Sequence, residues 1–181
     1  KNKMNILMPL DPQGKGSWIG VTRDSIACIL NHRGKEDSNS SRGQLLFKLL
    51  TNQITVDHLE NRSKDYNSFH LIYLNKKNKN YCEYIWDGKY FKYKSINSNL
   101  NIWSSNTVYN QLEIKNKLDF FNLKCTKKTD CVGFMNFHLN SKNIKNEKVI
   151  KTTSITQVLH DDSIEMHYND LVKNKNYHLK L

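Results

Sequence analysis

Proline is nearly absent, with 2 residues in a chain of 181, and no stretch rich in proline and glycine interrupts the sequence. Without a linker of that kind, residues 1–181 read as one domain. Cysteine occurs 4 times but never as Cys-x-x-Cys, which removes zinc-ribbon, thioredoxin-like and haem-attachment readings. A chain this long buries about 70% of the surface its unfolded form exposes, so it needs no disulfide or metal staple. No apolar run approaches the roughly 20 residues of a membrane-spanning helix, and no span is expected. Arginine is scarce as well. Arg23, Arg33, Arg42 and Arg62 stand against 24 lysines, whereas base-edge and bidentate phosphate recognition favour the rigid guanidinium fork. The formal charge of +11 is carried by lysines scattered among 24 asparagines. Runs such as Asn75-Lys76-Lys77-Asn78-Lys79-Asn80 read as solvated turns, and nucleic acid is not an expected partner.

What is present is a change of hydrophobic period along the chain. Residues 17–21 and 26–30 alternate as strands around Arg23-Asp24, a buried hairpin. Residues 31–40 are polar and read as a loop ending in a helix cap at Ser40 or Ser41. Leu45, Leu46, Leu49 and Leu50 then form one stripe on a helix over 42–50. A second short helix is expected over 55–62. Strands follow at 69–74, 81–86 and 90–94, the last two joined at Asp87-Gly88, a dipeptide suited to a two-residue turn. Another strand is expected at 101–104. Ser105 or Asn106 would cap a helix over 107–121 whose inner face carries Val108, Leu112, Leu118 and Phe121. Residues 124–148 are irregular, and strands at 149–158, 164–168 and 177–181 close the chain, with His160-Asp161-Asp162 as a polar turn. Segregated blocks of strands and helices favour an α+β layered fold over an alternating parallel sheet.

Few local constellations carry chemistry. Gly14-Lys15-Gly16-Ser17 runs into a strand instead of opening a helix, so it reads as a tight turn and not a phosphate loop. The seven histidines are His32, His58, His70, His138, His160, His167 and His178. None forms His-x-x-x-His, and local spacing indicates no metal site. His70 and His138 read as satisfied strand residues, while His32, just past a strand end, is a candidate ligand contact. Cys28 and Cys82 lie in strands, and Cys125 and Cys131 are expected to be exposed. Trp18, Trp86 and Trp103 read as core aromatics, with Trp103 also placed to line a pocket.

Five pieces stand in a recognisable order. They are Gly16-Ser17-Trp18-Ile19-Gly20-Val21, Leu30-Asn31, Ser41-Arg42-Gly43 before a leucine-rich helix, Ile102-Trp103-Ser104-Ser105, and Lys151-Thr152-Thr153-Ser154-Ile155-Thr156-Gln157-Val158. Together they resemble the NRDE family, whose eukaryotic members are called transport and Golgi organisation proteins, and most closely its bacterial members. The resemblance implies a four-layer αββα sandwich of two antiparallel sheets, like that of the N-terminal-nucleophile hydrolases. It also implies that the cysteine and the Asn-Arg-Asp-Glu segment typical of the family would precede Lys1, leaving the N-terminal strands incomplete here and no catalytic nucleophile within the chain. The pocket it implies is formed by Trp18, Asn31, His32, Arg42, Trp103, Ser104, Ser105, Thr153 and Ser154, with Thr153 where related amidases tend to carry arginine.

Two functions follow from the resemblance. One is haem binding and trafficking, with haem as bound ligand and His32 as an axial contact. The other is amide or acyl-transfer hydrolysis by an N-terminal cysteine. Cysteines with no evident pairing and the bacterial likeness imply a cytoplasmic location.

Overall fold

The computed structural model describes residues 5–99, 101–125, 135, 143–145 and 148–181. They form two compact units, residues 1–97 with 154–181 and residues 98–153. In the larger unit, strands β1 (Ile19–Val21), β2 (Ser25–Asn31), β3 (Phe69–Asn75), β4 (Asn80–Trp86) and β5 (Phe91–Ser95) form one antiparallel sheet in chain order. The first hairpin turns where the sequence indicated, with Val21 opposite Ile26. Leu7 extends the β1 edge through two backbone hydrogen bonds of 2.9 Å with Val21.

Helix α1 (Arg42–Leu50) matches its leucine stripe. Ser41 caps it, its hydroxyl accepting from the Gly43 N–H at 3.2 Å, and Leu45, Leu46, Leu49 and Leu50 are buried. Full burial of each such side chain stabilises by about 1.5–3 kcal/mol. They pack on one face of the five-stranded sheet against Ala27, Ile29, Phe69, Leu71 and Tyr84. The expected second helix is a 3₁₀ turn (Val56–His58) followed by α2 (Leu59–Ser63).

Strands β8 (Ser154–His160), β9 (Ile164–Asp170) and β10 (Lys175–Lys180) make a second antiparallel sheet in the order β10-β9-β8. Period-two alternation points Ile164 and Met166 inward, where they meet Val21, Ile26 and Val158. These two antiparallel sheets, with α1 and α2, give the larger unit the expected α+β sandwich class.

In the smaller unit, helix α3 (Gln111–Lys124) starts later than expected. Asn110 and Glu113 form a reciprocal capping box, Asn110 Oδ1 accepting from Glu113 N at 2.9 Å and Glu113 Oε2 from Asn110 N at 2.7 Å. This satisfies two N-terminal donors at once, which neither Ser105 nor Asn106 could do. The Ser105 hydroxyl instead lies 2.9 Å from that of Thr107 in a local turn. Of the expected inner face, Phe121 is buried, but Leu112 and Leu118 are exposed and Lys117 is buried in their place. A short hairpin, β6 (Asn143–Lys145) with β7 (Lys148–Ile150), completes the described part of this unit.

Other expectations are corrected. Residues 101–104 form no strand, and the run expected at 149–158 is divided between β7 and β8, with residues 151–153 outside both. The β4–β5 connection is not a two-residue turn. The last ladder pair is Trp86 with Phe91, because Asp87 Oδ1 accepts from both Lys89 N at 2.8 Å and Tyr90 N at 2.7 Å and widens the loop. Cys125 is buried, not exposed, at the end of α3. Cys131 and His138 lie outside the described residues. Trp86 is a core aromatic whose Nε1 donates to the Tyr66 carbonyl at 3.2 Å, while Trp18 and Trp103 are only half-buried.

Candidate functional site

Antiparallel strands of matched length return their turns to a common end. In the larger unit the β1–β2, β3–β4 and β8–β9 turns meet the C-terminus of α1 around a cavity of about 770 Å³. Its wall mixes three kinds of side chain: cationic Arg23 and Lys77, anionic Asp24, Asp161 and Asp162, and aliphatic Leu49, Leu50 and Ile164. The frame around it is tightly hydrogen-bonded. Asn75 Nδ2 donates to the Ser25 hydroxyl at 2.8 Å and to the Tyr73 hydroxyl at 3.1 Å. The Thr22 hydroxyl accepts from Ser25 N at 3.1 Å. Lys76 donates through its backbone N–H to the Asp24 carbonyl at 2.9 Å and through Nζ to the His160 carbonyl.

His160, another wall residue, ties the two sheets together, its Nε2 donating to the Thr22 carbonyl at 3.2 Å. A carbonyl can only accept, so the proton of this bond is carried by Nε2 and not by Nδ1, the ring's other nitrogen. That Nδ1 is buried and has no hydrogen-bond partner among the described residues.

The residues implied by the family resemblance lie elsewhere. Asn31 ends β2 opposite Phe69, and β2 is seven residues long, so its two ends are separated by about 20 Å. Beside Asn31, the Ser68 carbonyl accepts both from His32 N at 3.3 Å and from Arg42 Nε at 2.7 Å. The structure thus brings Asn31, His32 and Arg42 together around Ser68. Arg42 Nη2 lies 3.5 Å from Glu36 Oε1. Burial lowers the Arg42 pKa, and Glu36 partly offsets this. His32 Nδ1 donates to the Arg33 carbonyl at 2.8 Å. Trp18 packs against Tyr168, ring centroids 6.2 Å apart, and Ser154 faces Asp170 at the start of β8. Trp103, Ser104, Ser105 and Thr153 belong to the smaller unit. None of the nine lines the large cavity.

Nucleophile chemistry has little support among the described side chains. Burial pushes the Cys28 thiol up to about 11, which keeps it protonated near neutrality. Cys82 Sγ donates to Asn80 Oδ1 at 3.0 Å. His70 is committed to Glu83 at 2.8 Å, and burial lowers its pKa despite that carboxylate. Gly14-Lys15-Gly16 is the expected turn, with Lys15 at φ 49° and Asp11 N donating to the Gly16 carbonyl at 2.9 Å.

The charged wall residues carry no local signature of a site, because they lie in polar turns of ordinary composition. The available signal was topological: Arg23-Asp24, Asn75 to Asn80 and His160-Asp161-Asp162 are all connections between antiparallel strands.

The five-stranded and three-stranded antiparallel sheets define an α+β sandwich with a cavity of about 770 Å³ at its turn end. The sequence profile described as Transport and Golgi organisation 2 matches residues 1–180, and the chain belongs to that family. No curated protein matches the sequence.

Proposed function

We propose that this protein binds a small amphipathic, carboxylate-bearing ligand of the haem class in the cavity at the turn end of the sandwich, in the trafficking role that the family resemblance implies. The observation that carries this reading is the mixed wall, in which Arg23 and Lys77 stand with Leu49, Leu50 and Ile164 around about 770 Å³. Ligand pockets commonly span about 300–1,000 Å³. Haem is a flat apolar ring with two propionates, and such a wall offers aliphatic surface to the ring and cations to the carboxylates. Asp24, Asp161 and Asp162 share the wall, so the apolar contact, not a general positive field, must carry the affinity.

The alternative reading is amide or acyl-transfer hydrolysis by an N-terminal cysteine preceding Lys1. Ser25 and Cys28 do not stand in for that nucleophile, because the Ser25 hydroxyl is engaged by Tyr73 and Asn75 and the Cys28 thiol is held protonated.

Titration of the protein with haem, followed by the absorption band of the bound ligand and by tryptophan fluorescence, tests the proposal. Saturable binding at micromolar protein is expected, weakened about tenfold or more in the Arg23→Ala/Lys77→Ala double variant, a loss of about 1.4 kcal/mol. Unchanged spectra on adding haem would end the proposal. Loss of binding in His32→Ala with none in the double variant would move the site to the Ser68 end of the sheet.

A further inference from the structure

In β9, Glu165 and His167 are two residues apart and share the face of the three-stranded sheet opposite to Ile164 and Met166. The ladder register sets His178 of β10 directly beside His167, and Lys180 beside Glu165. The two imidazoles stack with centroids 4.1 Å apart and planes 14° from parallel. Both Nε2 atoms approach one carboxylate oxygen, Glu165 Oε2, at 3.6 Å from His167 and 2.8 Å from His178. All three donor atoms lie within 4.8 Å of one another.

We infer that Glu165, His167 and His178 form a site for a divalent transition-metal ion of the zinc class, independent of the haem-class cavity. Around an ion held at about 2.0–2.1 Å in tetrahedral geometry, ligand atoms stand about 3.3 Å apart, a spacing that small side-chain rotations reach from the observed one. The carboxylate is already oriented for the role. Its other oxygen, Oε1, accepts from Lys180 Nζ at 2.7 Å and from the Ser163 hydroxyl at 3.1 Å, which leaves Oε2 to the imidazoles. Outer partners of this kind fix a ligand's direction. Next to the cluster a depression of about 320 Å³, lined in part by His167, His178, Gln157, Asn169 and Asn176, gives access from solvent and room for water at a fourth position. Two imidazoles with one carboxylate suit zinc, cobalt or nickel better than magnesium or calcium, which take all-oxygen sets. Lys180 opposes the incoming cation by its charge, so the site is weaker than one without it.

Binding of Zn²⁺ to the whole chain, read by competition with a chromophoric chelator, and the visible absorption of Co²⁺ as a geometry probe test this. One equivalent is expected to bind, with the intense Co²⁺ spectrum of a tetrahedral site. Glu165→Gln, His167→Ala and His178→Ala should each weaken binding by more than the about tenfold to hundredfold that follows loss of an outer-shell partner. Lys180→Gln should tighten it. His167 and His178 side chains are 42% and 45% exposed, so these changes are tolerated by the fold, and circular dichroism of each variant verifies that. Equal Zn²⁺ affinity in the His167→Ala/His178→Ala double variant, an octahedral Co²⁺ spectrum, or affinity no better than millimolar would overturn the site and leave a hydrogen-bonded cross-strand cluster only.

Discussion

Gly16 and Gly43 show how closely two segments distant in sequence are fitted. A Cβ on Gly16 would lie 2.4 Å from the Gly43 carbonyl carbon and 2.6 Å from its Cα, both backbone atoms that cannot turn aside. Gly16→Ala is therefore expected to destabilise by about 2 kcal/mol or more through overpacking. Gly14→Ala should cost less, because its closest neighbour is the rotatable Asp11 carboxylate at 2.6 Å. Denaturant midpoints of the two variants give the comparison, and similar losses would contradict the backbone argument. Lys117 is a second residue with a definite signature. Its Nζ lies 3.1 Å from the centroid of the Tyr109 ring, and burial pushes the amine down to about 8 from an ordinary 10.5. Between those values the unfolded chain binds more protons than the folded one, so this residue's contribution to stability rises with pH across the window. Below pH 8 both states are protonated and the burial penalty is present in full. Thermal midpoints measured from pH 7 to 10.5 should show the rise relative to Lys117→Met. A parallel pH response in the two proteins would refute the shift.

At the scale of elements, α1 was legible because three independent signals agreed: the Ser41 cap, the leucine stripe and the polar loop before it. Helix α3 was displaced because its apolar pattern is weak, with Leu112, Leu118 and Leu123 exposed, and the start was decided by capping chemistry. Asn110→Ala should therefore cost about 1 kcal/mol and lower the helix signal in circular dichroism more than Asn106→Ala does. If Asn106→Ala proved the more damaging, the helix start would have to be moved. The β4–β5 loop departs from a two-residue turn for a related reason. Asp87-Gly88 does turn the chain, with Gly88 at φ 96°, but the Asp87 carboxylate captures two backbone donors and lengthens the connection.

Across the larger unit, local sequence determined most of the strands, the first helix and the layered α+β class, because alternation, helical stripes and caps are properties of neighbouring residues. It also placed His70 correctly as a satisfied strand residue, since His70 pairs with Glu83 across adjacent strands. Of the resemblance-implied pocket, Asn31, His32 and Arg42 do gather, on a carbonyl that the sequence did not point to. The cavity and the cross-strand histidine cluster were decided only by tertiary structure. Arg23, Lys77 and His160 come from three separate turns, and His167 meets His178 only through the register of β9 with β10. Which turns share an end, and which side chains share a rung, depend on strand pairing between distant segments, and no window of neighbouring residues contains that information.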